Sequence, residues 1–178
     1  MKYILEGTES DRLIFRLLEP NDFEAWLPFF EHPNARRFIG LEHLKTKKKM
    51  CEKWFEITFG RYKEDKGGMN VLLDKHTNEF IGQCGLLIQE VDGIREMEIG
   101  YSMLPMHWNK GYATEAAKKC KEIAFSRDYT NSLISIVHVE NILSEKVARK
   151  NGMTIDKQTV FKDMPVNIFR IYDPYRVL

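Results

Sequence analysis

Between residues 69 and 104 apolar side chains alternate with polar or small ones through three consecutive runs, MNVLLDK, EFIGQCGLLIQEV and REMEIGYSML, and at residue 105 that rhythm stops. A period of two places alternate side chains on opposite faces of a strand. The segments KHTNE and VDGI between the runs are turn signals, so the spacing predicts three antiparallel strands joined by hairpins. After the stretch PMHWNKGYATEA at residues 105–116, Ala113, Ala116, Ala117, Cys120 and Ala124 recur at helical spacing. A helix with so small a buried stripe can lie close against a sheet. The chain therefore contains a meander that hands over to a close-packed helix through one glycine-containing turn.

The flanking segments extend this pattern. DRLIFRLL at residues 11–18 alternates well enough for a first strand, and PND at residues 20–22 supplies helix-start chemistry for FEAWLPFF, which Pro28 is expected to end or bend. EHPNARRFIG reads as a loop, and residues 47–63 read as a second helix, with Met50, Trp54, Ile57 and Phe59 or Tyr62 at near-helical spacing. The β-branched run SLISIVHV predicts a central strand, followed by a short helix over ENILSEKVARKNGM that ends with Gly152 at its C′ position. Two further strands are expected near residues 155–161 and 166–172. No repeat or linker interrupts the order, so residues 1–178 are expected to form a single domain.

Charge and cysteine usage exclude several functions. Lysine and arginine number 27 against 26 acidic residues, which leaves no field for a polyanion or a membrane surface. The basic cluster KTKKKM opens a helix and reads as a solvated face, so neither nucleic acid nor membrane is an expected partner. Cys51, Cys84 and Cys120 are widely spaced and form no C-x-x-C pair, which suggests neither a disulfide framework nor structural zinc. Together with an N-terminus lacking an unbroken apolar run, this predicts a soluble cytoplasmic protein.

The turn at residues 105–116 can be a plain connector or an anion site. The first turn of a helix exposes unpaired N–H groups and the positive end of its dipole. Gly111 and Ala113 carry no side chain large enough to keep a phosphate away, and the glycine-rich nucleotide motifs need glycines that are missing here.

The ordered series EIGY at 98–101, Pro105-x-x-Trp108-x-Lys-Gly-Tyr-Ala-Thr-Glu-Ala116, Glu140-Asn-x-x-Ser144 and RKNGM at 149–153 resembles the GCN5-related N-acetyltransferases (GNAT), most of all the subgroup of ribosomal-protein N-terminal acetyltransferases. The resemblance spans nearly the whole chain. Trp108 stands where the broad family pattern has Arg or Gln, as is common in that subgroup, which leaves open what replaces the polar side chain. It implies an α+β fold: a mixed, mostly antiparallel central sheet of about seven strands, helices on both faces, and a splayed parallel pair at the cofactor site. It also implies acetyl transfer from acetyl-CoA directly to a primary amine, either a protein N-terminus or a small-molecule amine. An acyl-CoA-binding module without efficient turnover is the alternative.

On that resemblance the pyrophosphate lies on the amides of Asn109, Lys110, Gly111, Tyr112, Ala113 and Thr114, with Lys110 adding a cation, and the pantetheine arm pairs with the backbone of Tyr101, Ser102, Met103 and Leu104. Asn141 binds the cofactor amide, and Ser144 protonates the leaving thiolate. The residues themselves offer three candidate bases. Glu98 and Glu96 share one face of a strand, Glu98 lying nearer the expected cleft, and His138 ends the next strand. Glu98 is the preferred base, acting through water; His107 and His138 are left outside the assignment, and Cys84, Cys120 and the stripe Trp54, Phe55, Phe59 and Tyr62 read as packing. The acceptor's identity is not encoded in any recognisable motif, and an exposed final strand leaves a homodimer open.

Overall fold

The computed structural model describes residues 1–176. A single seven-stranded sheet is built from β1 (Leu13–Arg16), β2 (Gly67–Asp74), β3 (Phe80–Val91), β4 (Ile94–Met103), β5 (Ser132–His138), β6 (Thr154–Phe161) and β7 (Met164–Tyr172), in the spatial order β1-β2-β3-β4-β5-β7-β6. Every neighbouring pair is antiparallel except β4 and β5. That parallel pair meets at one position only, Glu98 opposite Ile134. Beyond it the Ser135 hydroxyl donates to the Ile99 carbonyl at 2.9 Å, and then the strands part.

The predicted meander is present because alternation in β2 and β3 feeds two cores at once. Leu72, Ile81, Leu86 and Ile99 face helix α4 (Tyr112–Ser126), whose buried Ala116, Ala117, Cys120 and Ala124 bring it close to the sheet. Val71, one residue along, faces the opposite layer of α1 (Phe23–Glu31), the short α2 (Pro33–Arg36) and α3 (Lys47–Lys63). Helix α5 (Ile142–Lys150) follows β5 and ends at Asn151 with Gly152 at φ +85°, as its sequence predicts. Cys84 and Cys120 lie fully buried with their sulfurs 3.5 Å apart, as part of the first core.

Some expectations need correction. Helix α1 continues through Pro28 to Glu31. An interior proline costs about 3 kcal/mol, but Trp26, Phe29 and Phe30 are all buried by this helix, and each such burial is worth about 1.5–3 kcal/mol. The segment read as a loop contains α2, started by Pro33 at the first helical position. Helix α3 has the expected bounds but buries Met50, Cys51, Phe55, Thr58 and Tyr62, while Ile57 is exposed. β1 is shorter than the alternating run that announces it. The final strand is not an edge: β7 lies between β5 and β6, because the β6–β7 hairpin docks through its second strand, and β6 forms the rim. Among the described residues no helix is long and apolar enough to cross a membrane.

Candidate active site

Where β4 and β5 diverge, a cleft of about 790 Å³ opens, bounded by the start of α4, the start of α5, the residues between α2 and α3, and the β6–β7 turn. Tyr101, Ser102, Met103, Asn109, Gly111, Tyr112, Ala113, Thr114, Asn141, Ser144 and Glu98 all line it. Sequence-distant segments thus meet in one place. Leu104 and Lys110 do not join them: Leu104 is buried in the core beneath α1 and α3, and the exposed Lys110 lies outside the lining.

The turn before α4 is held from outside the cleft. Gly111 sits at φ +85° as the N-cap of α4 and Asn109 at φ +60°. Both lie in the left-handed region, which glycine adopts freely and asparagine tolerates. Among the described residues none of the backbone N–H groups of residues 109–114 has an acceptor, whereas Glu115 N–H already donates to the Gly111 carbonyl at 3.1 Å. Arg12 fixes this arrangement. Its Nη1 donates to the Lys110 carbonyl at 3.1 Å, its guanidinium lies 4.3 Å from the Tyr112 ring centroid, and its Nε and backbone N–H donate to Glu115 at 2.7 Å each. Burial alone would raise the Glu115 pKa, but hydrogen bonds from Ser10 and Arg12 outweigh it and hold the carboxyl below its ordinary value. Trp108 supplies the other brace: its indole N–H donates to the Met103 carbonyl at 2.8 Å, tying the end of β4 to the turn. That is what this chain places where the wider family pattern has a polar side chain.

A seven-stranded sheet that splays beside an open helix N-terminus agrees with the known proteins this chain matches. The acetyltransferase (GNAT) domain family matches residues 12–154.

The chain belongs to the GNAT acetyltransferase family.

The uncharacterized N-acetyltransferase YoaA of Bacillus subtilis (strain 168) is 30% identical over 147 residues, 81% of this chain and 80% of that one. The crystal structure of an acetyltransferase from Agrobacterium tumefaciens str. C58 superposes with a TM-score of 0.78 at 25% identity, covering 93% of this chain and 94% of the other. The fold is also shared, at TM-score 0.73 and 15% identity over 95% and 97% of the two chains, with RimL, a ribosomal L7/L12 α-N-protein acetyltransferase solved in complex with coenzyme A. This GNAT protein is an acyl-CoA-dependent acetyltransferase.

Within this GNAT site the candidate bases separate by environment. Glu96 lies outside the cleft lining, paired with Arg170 through contacts of 2.6 and 3.1 Å. His138 accepts the Glu140 backbone N–H on Nδ1 at 3.1 Å and packs on Phe38 with ring centroids 4.8 Å apart, which puts the proton of the neutral ring on Nε2. His107 is buried beside Tyr112, and burial lowers its pKa. Glu98 lines the cleft without an ion pair among the described residues. Burial raises its pKa, while a 2.6 Å hydrogen bond from Gln89 and the charge of Arg61 limit the rise.

On the opposite wall Asn141 caps α5, its Oδ1 accepting the Ser144 N–H at 3.2 Å. The capping role uses the oxygen and leaves the amide N–H groups uncommitted. Tyr101 donates its hydroxyl to the Ser144 carbonyl at 2.8 Å. Ser144 is therefore fixed at both ends of its peptide unit, and its side-chain hydroxyl has no partner among the described residues. Arg12, Glu115, Arg61 and Gln89 were not singled out from the sequence. Arg12 lies within DRLIFRLL and Glu115 within the 105–116 motif, but their pairing spans 103 residues and leaves no local signal.

Proposed function

We propose that residues 1–178 work as one N-acetyltransferase domain that binds acetyl-CoA in this cleft and transfers its acetyl group directly to a primary amine. The observation that carries this reading is the set of N–H groups at residues 109–114 that lack acceptors beside the edge where β4 leaves β5. A left-handed pair of residues opening a helix is a concave donor surface for a diphosphate. Among the described residues no carboxylate competes there, because Glu115 is turned to Arg12 and the only acidic residues lining the cleft are Glu98 and Glu140. The residues present thus fit a long anionic carrier.

In this reading the amides of Asn109, Gly111, Tyr112, Ala113 and Thr114 hold the pyrophosphate. The free edge of β4 offers the backbone groups of Tyr101 to the pantetheine arm, whereas those of Ser102 are turned to its ladder partner Gln83, and Asn141 Nδ2 donates to an amide carbonyl. Met103 contributes position more than hydrogen bonding, since its carbonyl is engaged by Trp108. When bound, acetyl-CoA supplies an activated thioester.

Glu98, through water, takes the proton that the amine loses as its nitrogen bonds the acetyl carbon. The Ser144 hydroxyl gives its proton to the sulfur as the carbon–sulfur bond breaks and recovers one from solvent. The products are the N-acetylated amine and free coenzyme A thiol. The raised pKa of Glu98 suits it to this work, because a base nearer neutrality accepts a proton from an ammonium-like nitrogen with a smaller mismatch.

Calorimetry with coenzyme A, with thiol release measured over a panel of amines, tests the assignment. Binding that Gly111→Val weakens, and acceptor-dependent thiol release, are the expected results. Absence of coenzyme A binding to the wild-type protein overturns it.

A further inference from the structure

The cleft holds positive charge that acetyl transfer does not use. Arg61, in the last turn of α3, lines it at the end where Glu98 lies. Its Nη2 donates to the carbonyls of Lys66 at 2.8 Å and Ile88 at 2.7 Å, which fixes the guanidinium in place. Its Nε is shielded from solvent and has no partner, and no carboxylate forms an ion pair with this arginine among the described residues. The nearest acidic influence is Glu98, which takes its hydrogen bond from Gln89 instead. Lys162, on the β6–β7 turn, lines the same end, also without an ion pair among the described residues. A half-buried guanidinium that is pre-aimed by two carbonyls and lacks a counter-ion among the described residues is an incomplete pair.

The surroundings restrict what completes it. Phe38, Ile57, Leu87, Ile136 and Met164 make this end of the cleft apolar. Residues 37–40 cross from the α2 side to the β5–β7 side through three contacts: the ion pair Arg37 to Glu140, the Phe38–His138 ring contact, and Gly40 against Met164, whose Cε lies 3.2 Å from where a Cβ would stand. That strap roofs the acceptor end and favours a compact ligand.

We propose that the amine acceptor carries a carboxylate, as an apolar α-amino acid or short peptide acid does, and that Arg61, assisted by Lys162, binds the carboxylate while the amine faces Glu98. The assignment rests on the acetyl-transfer reading and narrows its substrate class. A polyamine would set its charges against Arg61 and Lys162 and find, among the described residues lining the cleft, only Glu98 without an ion pair. An acceptor with an anionic end supplies the missing partner and lets its apolar body cover the aromatic and aliphatic wall.

Initial rates with acetyl-CoA are compared for L-methionine and L-phenylalanine, their carboxamides, spermidine, and a hexapeptide amide with acidic side chains. The acids are expected to exceed their carboxamides at least roughly tenfold in kcat/KM, with spermidine poorest. Arg61→Gln is expected to raise KM for the acids roughly ten- to a hundredfold while leaving KM for acetyl-CoA unchanged and changing the carboxamide rates by a clearly smaller factor, the part that comes from the loss of the Arg61 charge beside Glu98. Because Arg61 also holds two backbone carbonyls, Lys162→Gln provides a second variant at an exposed position, expected to raise the same KM severalfold. Calorimetry of the coenzyme A-loaded protein with L-methionine should show binding that Arg61→Gln removes.

If the acidic hexapeptide outruns the free acids and depends on Arg61, the carboxylate stands and its source is a peptide side chain. Carboxamides or spermidine matching the acids, or Arg61→Gln affecting acids and carboxamides alike, overturns the proposal while leaving acetyl transfer intact. Failure of the wild-type protein to bind coenzyme A removes both.

Discussion

The two ends of the cleft are made in different ways. At the α4 end, backbone does the work: N–H groups left over by helix geometry face the opening, and side chains such as Arg12, Glu115 and Trp108 stand behind them as braces. At the Glu98 end, side chains do the work, contributed by α3, β3, β4 and the β6–β7 turn. A backbone surface suits a ligand that never changes. Side chains from several elements can be exchanged without rebuilding the sheet, which suits a ligand that can change. The contrast predicts that substitutions at one end should move the parameters of one substrate only.

Glu98→Gln should separate the ends most sharply. Loss of a general base costs about 10²–10⁴-fold in turnover, and coenzyme A affinity measured by calorimetry should not change. The wild-type kcat/KM should rise with pH through the raised Glu98 pKa, above the ordinary carboxylate range, and the variant should lose that limb. Stability should move the other way. The folded protein holds this proton more tightly than the unfolded chain, so ionisation of Glu98 weakens the fold as pH rises through its raised pKa. Glu98→Gln should therefore melt higher than wild type at neutral pH, with the advantage vanishing in acid.

Gly111→Val should break the other end. A β-branched residue at φ +85° strains the turn, and displaced donors should weaken coenzyme A binding by roughly ten- to a hundredfold, the value of one or so charge-assisted hydrogen bonds. The amine KM should stay within about twofold.

Glu115→Gln tests the bracing. It should cost about 1–3 kcal/mol in denaturant unfolding at pH 7. The depressed Glu115 pKa means that its contribution is present above the unfolded value and is lost as pH falls through the folded one, so wild type and variant should converge in acid. Trp108→Phe keeps most of the ring packing and removes only the hydrogen bond to Met103, with about 1 kcal/mol of stability and a small loss of coenzyme A affinity expected. Any of these variants shifting both substrates equally would mean that the two ends are not independent.

The same contrast explains what was legible in the sequence. The meander, the small-residue stripe of α4 and the turn at Gly111 lie within one continuous segment, where periodicity and local chemistry both report on structure. Asn141, Ser144 and Glu98 were recognisable as positions in an ordered motif series. The face of α3 was harder to read. Ile57 is apolar because it lines a cleft, not because it is buried, and a binding surface and a core face look alike in an amphipathic pattern. The place of β7 inside the sheet depends on which strand of the last hairpin docks against β5, and alternation in β6 and β7 does not distinguish them. Arg61 was invisible for a related reason: an arginine near a helix C-terminus is ordinary until β3 and its carbonyls arrive from elsewhere in the chain.

The lone rung between β4 and β5, Glu98 against Ile134, has a mechanical meaning. The meander and the C-terminal hairpin are stitched together there by little backbone bonding, so a carrier lying along the gap would act as an interposed extra strand. Loading would then fasten the two portions of the sheet to each other, and departure of the spent carrier would unfasten them. A melting temperature that climbs steeply with coenzyme A concentration would be the outward sign of that seam.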